Sequence, residues 1–335
     1  MNHSKPPDSA IIRSLPFEKS AKAEQAGADS SLYVVQYSRV ALLAHDPLQL
    51  AVQPYNFEAQ IEYLAENYHV ISSEEMEYHL VHKRPFPERS IVLTFDGGYA
   101  DLLYTVHEVL KRFELSATAF VPTASIIERK PHWYDELEDL LIANQSPGEL
   151  EVVIDGELYS YPLRNQHERL IAYDWLSSLL SEASPPEQRE ILDQIVETLG
   201  YGDGECDSHN TLTAQEVRYL EEKGLFRVGA TTHDHVSLNA LTETEKAVQI
   251  RKNKEILEEI TGHPIRCFCP PRWSVASPAD TDINLFRELG FDFVLSNCPG
   301  GVSVWTRSGR QQFPRIAVTD GHLFRFHKSL PSPAS

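Results

Sequence analysis

The chain has 335 residues with 41% hydrophobic composition, which is enough for one large core or two smaller ones. Its 30 basic and 49 acidic residues give a formal net charge of −19, which disfavours nucleic acid and anionic lipid as general partners. Four scattered cysteines do not form a disulfide framework. The first residues lack a signal-peptide pattern, and no apolar run is long enough to span a membrane. We therefore expect a soluble cytoplasmic protein.

The first half of the chain predicts strands that alternate with helices. Residues 1–30 are polar and rich in small side chains, which predicts a disordered tail. Ser72 and Glu75 have the spacing of a capping box and predict the start of a helix. The other predicted elements are strands over residues 32–37, 69–71, 91–95 and 117–121 and helices around residues 57–64 and 102–110.

The second half continues the alternation. Thr213 with Glu216, and Thr242 with Glu245, predict the starts of two helices. A third helix is predicted over residues 285–289, and the predicted strands are residues 226–230, 265–269 and 291–295. This order predicts an α/β fold with a parallel sheet and crossover helices, either open or closed into a barrel.

Residues 149–162 interrupt this pattern. Two alternating runs flank Asp155-Gly156, which is a strong signal for a β-hairpin. Roughly forty helix-forming residues follow. We interpret residues 125–210 as an insertion that caps the main fold rather than as an independent domain. Residues 31–325 then form that fold, and residues 326–335 form a second flexible tail.

The most informative motif is Ser-Ile-Val-Leu-Thr-Phe-Asp-Gly-Gly-Tyr-Ala-Asp at residues 90–101. An apolar run ends at Asp96, which predicts a buried strand that brings a carboxylate to its carboxyl end. The motif resembles Thr-Phe-Asp-Asp-Gly-Tyr of the polysaccharide deacetylase family (carbohydrate esterase family 4, the NodB-homology domain). The resemblance makes Asp96 the catalytic base and places Tyr99 in the substrate groove. Gly97 stands where the family has a metal-binding aspartate.

A second motif covers residues 228–238 and resembles Gly-Ala-His-Thr-x-x-His-Pro-x-Leu of the same family. His235 keeps the second histidine of that motif, and Thr231 replaces the first. Of three implied metal ligands, only His235 therefore remains, whereas a zinc site normally takes three protein ligands and an open position. His233 could rebuild a site with Asp96 and His235. The alternative for His233 is a surface-loop histidine.

The third motif, Phe-Cys-Pro-Pro-Arg-Trp at residues 268–273, resembles Phe-Arg-Pro-Pro-Tyr-Gly of the family. The resemblance assigns Pro271, Arg272 and Trp273 to the substrate groove, where Trp273 could stack on a sugar ring. The alternative for Trp273 is a core aromatic. Cys269 replaces an arginine that orients the base, and a Cys269–His235 thiol dyad is a weaker alternative.

The resemblance also covers residues 313–318, which are similar to a Leu-Pro-Arg-Ile stretch in one branch of the family. The family's late Leu-x-His motif has no match, because His322 and His327 are displaced from it. The resemblance implies a distorted (β/α) barrel, often with seven parallel strands. It further implies carbohydrate or glycan substrates and hydrolysis of N-acetyl amide bonds with a divalent metal such as zinc.

Two hypotheses follow from the altered motifs. The first is a carbohydrate deacetylase in which Asp96 is the base and His235 is a ligand or acid. The second is a non-catalytic relative that binds a glycan or a protein partner in the old groove. The absence of two ligands favours the second, because the metal supplies the largest catalytic contribution at such a site. A regulatory or structural subunit paired with an active homologue is a weaker third possibility.

Overall fold

The computed structural model describes residues 32–144, 148–200, 209–271, 280–298, 301–306, 309–313, 315–321 and 323–330. These residues form two compact units. One unit contains residues 131–209, and the other contains residues 32–130 together with the described residues from 210 onward.

The strands are β1 Leu32–Tyr37, β2 Arg39–Val40, β3 Ala51–Val52, β4 His69–Val70, β5 Ser90–Asp96, β6 Ala117–Phe120, β7 Glu149–Ile154, β8 Glu157–Pro162, β9 Phe226–Gly229, β10 Cys267–Phe268, β11 Phe293–Cys298, β12 Gly301–Thr306, β13 Gly309–Phe313 and β14 Arg315–Ala317. The α-helices are α1 Pro54–Asn67, α2 Ser73–Val81, α3 His107–Arg112, α4 Ala124–Ile127, α5 Trp133–Glu138, α6 Gln166–Ser181, α7 Pro185–Leu199, α8 Ala214–Glu222, α9 Glu243–Thr261, α10 Asp280–Glu288 and α11 Leu323–Ser329. Leu102–Val106 and Asp139–Ala143 are π-helical turns.

The main sheet has the strand order β14-β1-β5-β6-β9, and every neighbouring pair in it is parallel. β4 adds in parallel to the start of β5. Beyond β9, the backbone of Ala230 exchanges hydrogen bonds with Cys267 and Cys269, which joins β9 to β10. β10 pairs in parallel with β11. The sequence prediction of an α/β fold with a parallel sheet is therefore confirmed.

Both faces of the main sheet are buried, as the apolar run of β5 predicts. Ile91, Leu93 and Phe95 belong to a core cluster shared with the surrounding helices. Val92 points to the opposite face, where a second cluster is formed largely by strands. Because side chains alternate along a strand, Asp96 lies on the same face as Val92. The pattern of β5 thus directs the carboxylate to the face of Val92, opposite Ile91, Leu93 and Phe95.

The predicted helix starts are also observed. Ser72 Oγ accepts a hydrogen bond from the Glu75 amide at 3.0 Å, at the start of α2. Complete capping boxes begin α8 at Thr213 and α9 at Thr242. These contacts satisfy amide groups that a helix start otherwise leaves without partners.

Two predicted segments differ from the structure. The strand over residues 265–269 is reduced to β10, because the backbone of Ile265 bonds to the side chains of Glu258 and Lys254 instead of to a strand. The predicted flexible tail over residues 326–335 includes part of α11, in which Phe326 is buried. β12 and β13 are antiparallel to their neighbours and were not anticipated from the sequence.

The unit of residues 131–209 contains the predicted hairpin. β7 and β8 pair across Asp155 and Gly156, which have φ angles of 53° and 79°. Positive φ at both central residues is the geometry of a type I′ turn. The Gln194 side chain bonds to both the N–H and the C=O of Val153 and so satisfies the outer edge of β7.

A buried histidine in the same unit lies between two carboxylates. His209 Nδ1 is 3.3 Å from Asp135 Oδ1, and its Nε2 is 3.4 Å from Asp139 Oδ1. Burial lowers the pKa of His209, but the hydrogen bond to Asp139 and the charges of Asp135, Asp139 and Glu138 outweigh it, so the pKa is raised. The protonated ring therefore stabilises the folded state below its ordinary pKa of about 6.5.

We expect this stabilisation to be lost as the pH rises through the raised pKa of His209. Urea unfolding of the wild type and of His209→Gln, followed by tryptophan fluorescence from pH 5.5 to 9, checks this. The wild type should lose stability relative to His209→Gln as the pH rises. His167→Gln, which changes an exposed histidine of the same unit, should follow the wild type. Parallel pH profiles for the wild type and His209→Gln would contradict the expectation.

Candidate functional site

The altered motifs meet at the carboxyl edge of the main sheet. Asp96 at the end of β5 is in register with Phe120 of β6, and Phe120 is in register with Gly229 of β9. A Cβ atom at Gly229 would lie 2.5 Å from the Phe120 ring, so only glycine fits there. The loop that carries Thr231, His233 and His235 follows this close approach. The first and second motifs therefore leave the sheet at the same edge.

Asp96 is only 4% exposed. Gln36 of β1 donates a hydrogen bond from Nε2 to Asp96 Oδ2. The Arg315 guanidinium of β14 lies 3.6 Å from the same oxygen. Asp96 thus has an amide donor and a cation beside it.

Gly97 has a φ of 94°, which an L-amino acid with a side chain rarely adopts. A Cβ atom there would lie 2.7 Å from Cε2 of Tyr99. The Tyr99 ring is fully buried, so it is not free to move aside. The space in which the family's metal-binding aspartate would begin is therefore filled by an aromatic ring.

Tyr99 belongs to a buried group with Arg39 and Asp101. The Arg39 guanidinium lies 4.1 Å from the centre of the Tyr99 ring, which is a cation–π contact. Arg39 Nε donates to Asp101 Oδ2 at 3.3 Å, and the Val40 amide donates to the same oxygen at 3.0 Å. The prediction that Tyr99 lines a substrate groove needs correction, because its ring packs inside the protein and holds the loop after β5.

The second-motif loop is held by the side chains of α9. The Thr231 amide donates to Asn253 Oδ1 at 3.1 Å, and Asn253 Nδ2 donates to the Val121 carbonyl at 2.9 Å. The Thr232 hydroxyl bonds to the Val236 carbonyl at 2.8 Å. His235 is buried, has a φ of 55°, and its amide donates to the Thr232 carbonyl at 3.2 Å. This is a tightly bonded turn.

His233 is buried rather than on a surface loop. Its Nδ1 lies 2.7 Å from Thr123 Oγ1, and its Nε2 lies 3.6 Å from Glu128 Oε1. Burial, reinforced by the Lys252 charge, lowers the pKa of His233, although Asp234 and Glu128 oppose that shift. Both ring nitrogens thus face partners other than Asp96.

The third motif is only partly described. Pro271 is buried, while Arg272 and Trp273 lie outside the described residues. Cys269 is also buried, and its thiol lies 3.5 Å from the Pro270 carbonyl. Burial and the Asp96 charge raise the pKa of the Cys269 thiol well above its ordinary value. Because the thiolate is the nucleophilic form, a thiol that stays protonated does not suit a thiol dyad.

The donor set at this edge does not fit the zinc ion that the resemblance implies. Within the described ranges, no three His, Cys, Asp or Glu side chains are placed to hold a metal ion. Gly97 and Thr231 supply no ligand of the required kind, and His233 bonds elsewhere. The implied metal and its ligands, His235 and His233, stay predictions.

Two residues beside Asp96 were not assigned to the site from the sequence. Gln36 shares the face of β1 with Val34, so strand alternation could have placed it near Asp96. Arg315 lies within the segment already seen to resemble the family's Leu-Pro-Arg-Ile stretch. What the sequence did not show is that β14 pairs with β1, which brings Arg315 beside Asp96.

A comparison with known sequence families decides the family. The sequence model of the polysaccharide deacetylase family matches residues 83–170 and 178–294, well over half of the chain. The chain belongs to the polysaccharide deacetylase family. A polysaccharide deacetylase family relative, YxkH of Bacillus subtilis (strain 168), is 25% identical over 118 residues. That match covers 33% of the present chain and 42% of YxkH, less than half of either protein.

Two solved structures share the fold. PplD, a deacetylase of Streptococcus pyogenes solved in complex with acetate, aligns with a TM-score of 0.54 and 12% identity, over 90% of this chain and 98% of that one. IcaB of Ammonifex degensii aligns with a TM-score of 0.53 and 16% identity, over 86% and 92%. At these identities the likeness concerns the fold alone. In the described part of the chain, no helix has the length and apolar character to cross a bilayer.

Proposed function

We propose that this polysaccharide deacetylase family member does not hydrolyse N-acetyl groups through a metal and instead binds a glycan at the strand ends around Asp96. The observation that carries the proposal is the Tyr99 ring, which fills the space a side chain at residue 97 would need. The glycan class follows from membership of the family.

The polar contacts around Asp96 and the second-motif loop support the same proposal. Asp96 is held by Gln36 and lies beside Arg315, and the second-motif loop is fixed by Asn253. These contacts replace an open coordination shell with packed, hydrogen-bonded side chains. A polar group fixed in this way costs little reorganisation when it binds a neutral ligand.

A second candidate is a carbohydrate deacetylase in which Asp96 acts as base and His235 as ligand or acid. The observation in its favour is Arg315, which supplies a cation beside Asp96 although Cys269 has replaced the family's orienting arginine. A carboxylate is one of the side chains that act as general bases.

Acetate release and binding separate the two candidates. Purified protein is incubated with N-acetylglucosamine oligosaccharides, with and without added Zn²⁺, and acetate is measured. Binding of the same oligosaccharides is measured by calorimetry. We expect no acetate above the rate without protein, and binding that Asp96→Asn weakens and the surface variant Asp193→Asn leaves unchanged. Acetate release that Asp96→Asn abolishes would instead establish the deacetylase.

We also infer that the sheet closes into the seven-stranded (β/α) barrel implied by the resemblance, and that residues 125–210 are an insertion in it. The order β14-β1-β5-β6-β9, continued through residue 230 to β10 and β11, supports the barrel. That order contains seven strands in parallel succession. The compact unit of residues 131–209 supports the insertion.

A further inference from the structure

A groove lies on the helical side of the larger unit, between the segment after β5 and helix α8. It is open to solvent and has a volume of about 550 Å³. The residues that line it and matter here are Tyr104, Glu108, Gln215, Glu216 and Tyr219. We call this the tyrosine groove. None of these residues belongs to the three motifs.

Two aromatic rings are exposed in the tyrosine groove. Tyr104 is 70% exposed and Tyr219 is 44% exposed. Large aromatic rings usually bury most of their area, so two exposed rings in one concave surface indicate a ligand surface. A flat ring with a polar edge suits a partner that has both an apolar face and hydroxyl groups.

The Tyr104 ring is held in place before any ligand arrives. Its hydroxyl donates to Glu216 Oε1 at 2.5 Å. The other oxygen of Glu216 accepts hydrogen bonds from the Thr213 amide and hydroxyl in the capping box of α8. Tyr104 is thus tied to a helix start, which reduces the entropy lost when a ligand stacks on it.

The charge of the tyrosine groove favours a cationic partner. Among the described residues, its lining includes two glutamates and no lysine or arginine, although the charge of Arg129 acts on Glu216. Glu108 is 65% exposed, so its carboxylate is accessible to a ligand. Its Oε1 also lies 3.2 Å from His107 Nδ1. Lys223 Nζ lies 4.9 Å from the centre of the Tyr219 ring, so that ring already has a cation–π partner, and the groups offered to a cationic ligand are Tyr104 and Glu108. The net charge of −19 repels anionic glycans.

We propose that the tyrosine groove binds glycan units that carry a free amine, as in a partly N-deacetylated hexosamine chain. The sugar ring stacks on Tyr104, its ammonium group pairs with Glu108, and Gln215 bonds to hydroxyl groups. The proposal rests on the glycan class of the proposed function but not on the surroundings of Asp96. A peptide rich in lysine has the same charge but lacks the flat hydroxylated ring.

Calorimetric titration of the full chain with glucosamine oligosaccharides at pH 6 tests this. Tyr104→Ala should raise the dissociation constant by at least about tenfold, and Glu108→Gln should also weaken binding. Tyr104→Phe, which keeps the ring but loses the hydrogen bond to Glu216, should weaken binding less than Tyr104→Ala does. Tyr55→Ala removes a ring that is 83% exposed on α1, outside the tyrosine groove, and should have no effect.

Three results would overturn the proposal. N-acetylglucosamine oligosaccharides could bind to the Asp96→Asn variant as tightly as the amine form does, or oligolysine could bind while glucosamine oligosaccharides do not. Binding could also be lost in Asp96→Asn and kept in Tyr104→Ala, which would assign it to the strand ends around Asp96. Binding of glucosamine oligosaccharides that is lost in Tyr104→Ala and kept in Asp96→Asn supports the tyrosine groove. This holds whether or not a glycan also binds around Asp96.

Discussion

The substitution Gly97→Asp, which restores the aspartate of the family's first motif, is expected to destabilise the protein by about 1–3 kcal/mol because of backbone strain. The φ of 94° disfavours any side chain, and the new Cβ atom would overlap the buried Tyr99 ring. The double variant Gly97→Asp with Thr231→His is therefore not expected to bind zinc stoichiometrically. Chemical denaturation and metal analysis measure the two effects.

Gly224→Ala provides the control for strain alone. Gly224 has a φ of 77° in the same unit, but nothing lies within 4 Å of a Cβ atom added there. Gly97→Ala should therefore cost more stability than Gly224→Ala, and the difference reports the overlap with Tyr99. Equal costs, or a Gly97→Asp variant with wild-type stability, would show that Tyr99 can move and that the space is available.

The substitution Arg39→Met is expected to cost about 3–5 kcal/mol, because it leaves the Asp101 carboxylate buried without its cation. The side chains of Arg39 and Asp101 are 5% and 8% exposed. Burial already raises the pKa of Asp101 against the opposing charge of Arg39, so removal of Arg39 raises it further. An acid with a raised folded-state pKa loses stability as the pH rises from about 3.9 through that raised value.

The loss of stability caused by Arg39→Met should therefore be smaller at pH 4.5 than at pH 7. It should also be smaller when Arg39→Met is combined with Asp101→Asn in a double variant. Arg112→Met is the matched control, because Arg112 pairs with Glu58 at 2.9 Å on the surface, where 54% and 47% of the two side chains are exposed. It should change stability little. A deficit for Arg39→Met that is independent of pH would contradict the role given to the Asp101 charge.

Much of the fold could be predicted because local signals agree with it. The apolar run of β5, the capping boxes of α8 and α9 and the turn at Asp155-Gly156 each specify structure within a few residues. The shortening of β10 could not be predicted, because it depends on Glu258 and Lys254 bonding to the backbone of Ile265. Long-range strand pairing, as between β14 and β1, leaves no local signal.

The candidate site could likewise be predicted only in part. The motif positions identified Asp96, Gly97, Thr231 and His235, and strand order placed them at one edge of the sheet. The sequence did not show that the Tyr99 ring would be buried against Gly97, or that His233 would turn to Thr123. Both outcomes depend on packing between segments that are distant in sequence.

Metal analysis of the purified protein after dialysis against zinc tests the central claim most directly. The account predicts much less than one zinc ion per chain, with no change in His235→Ala or in the control His327→Ala, which alters an exposed histidine on α11. One zinc ion per chain that is lost in His235→Ala and kept in His327→Ala would contradict it. That result would indicate a metal-dependent deacetylase.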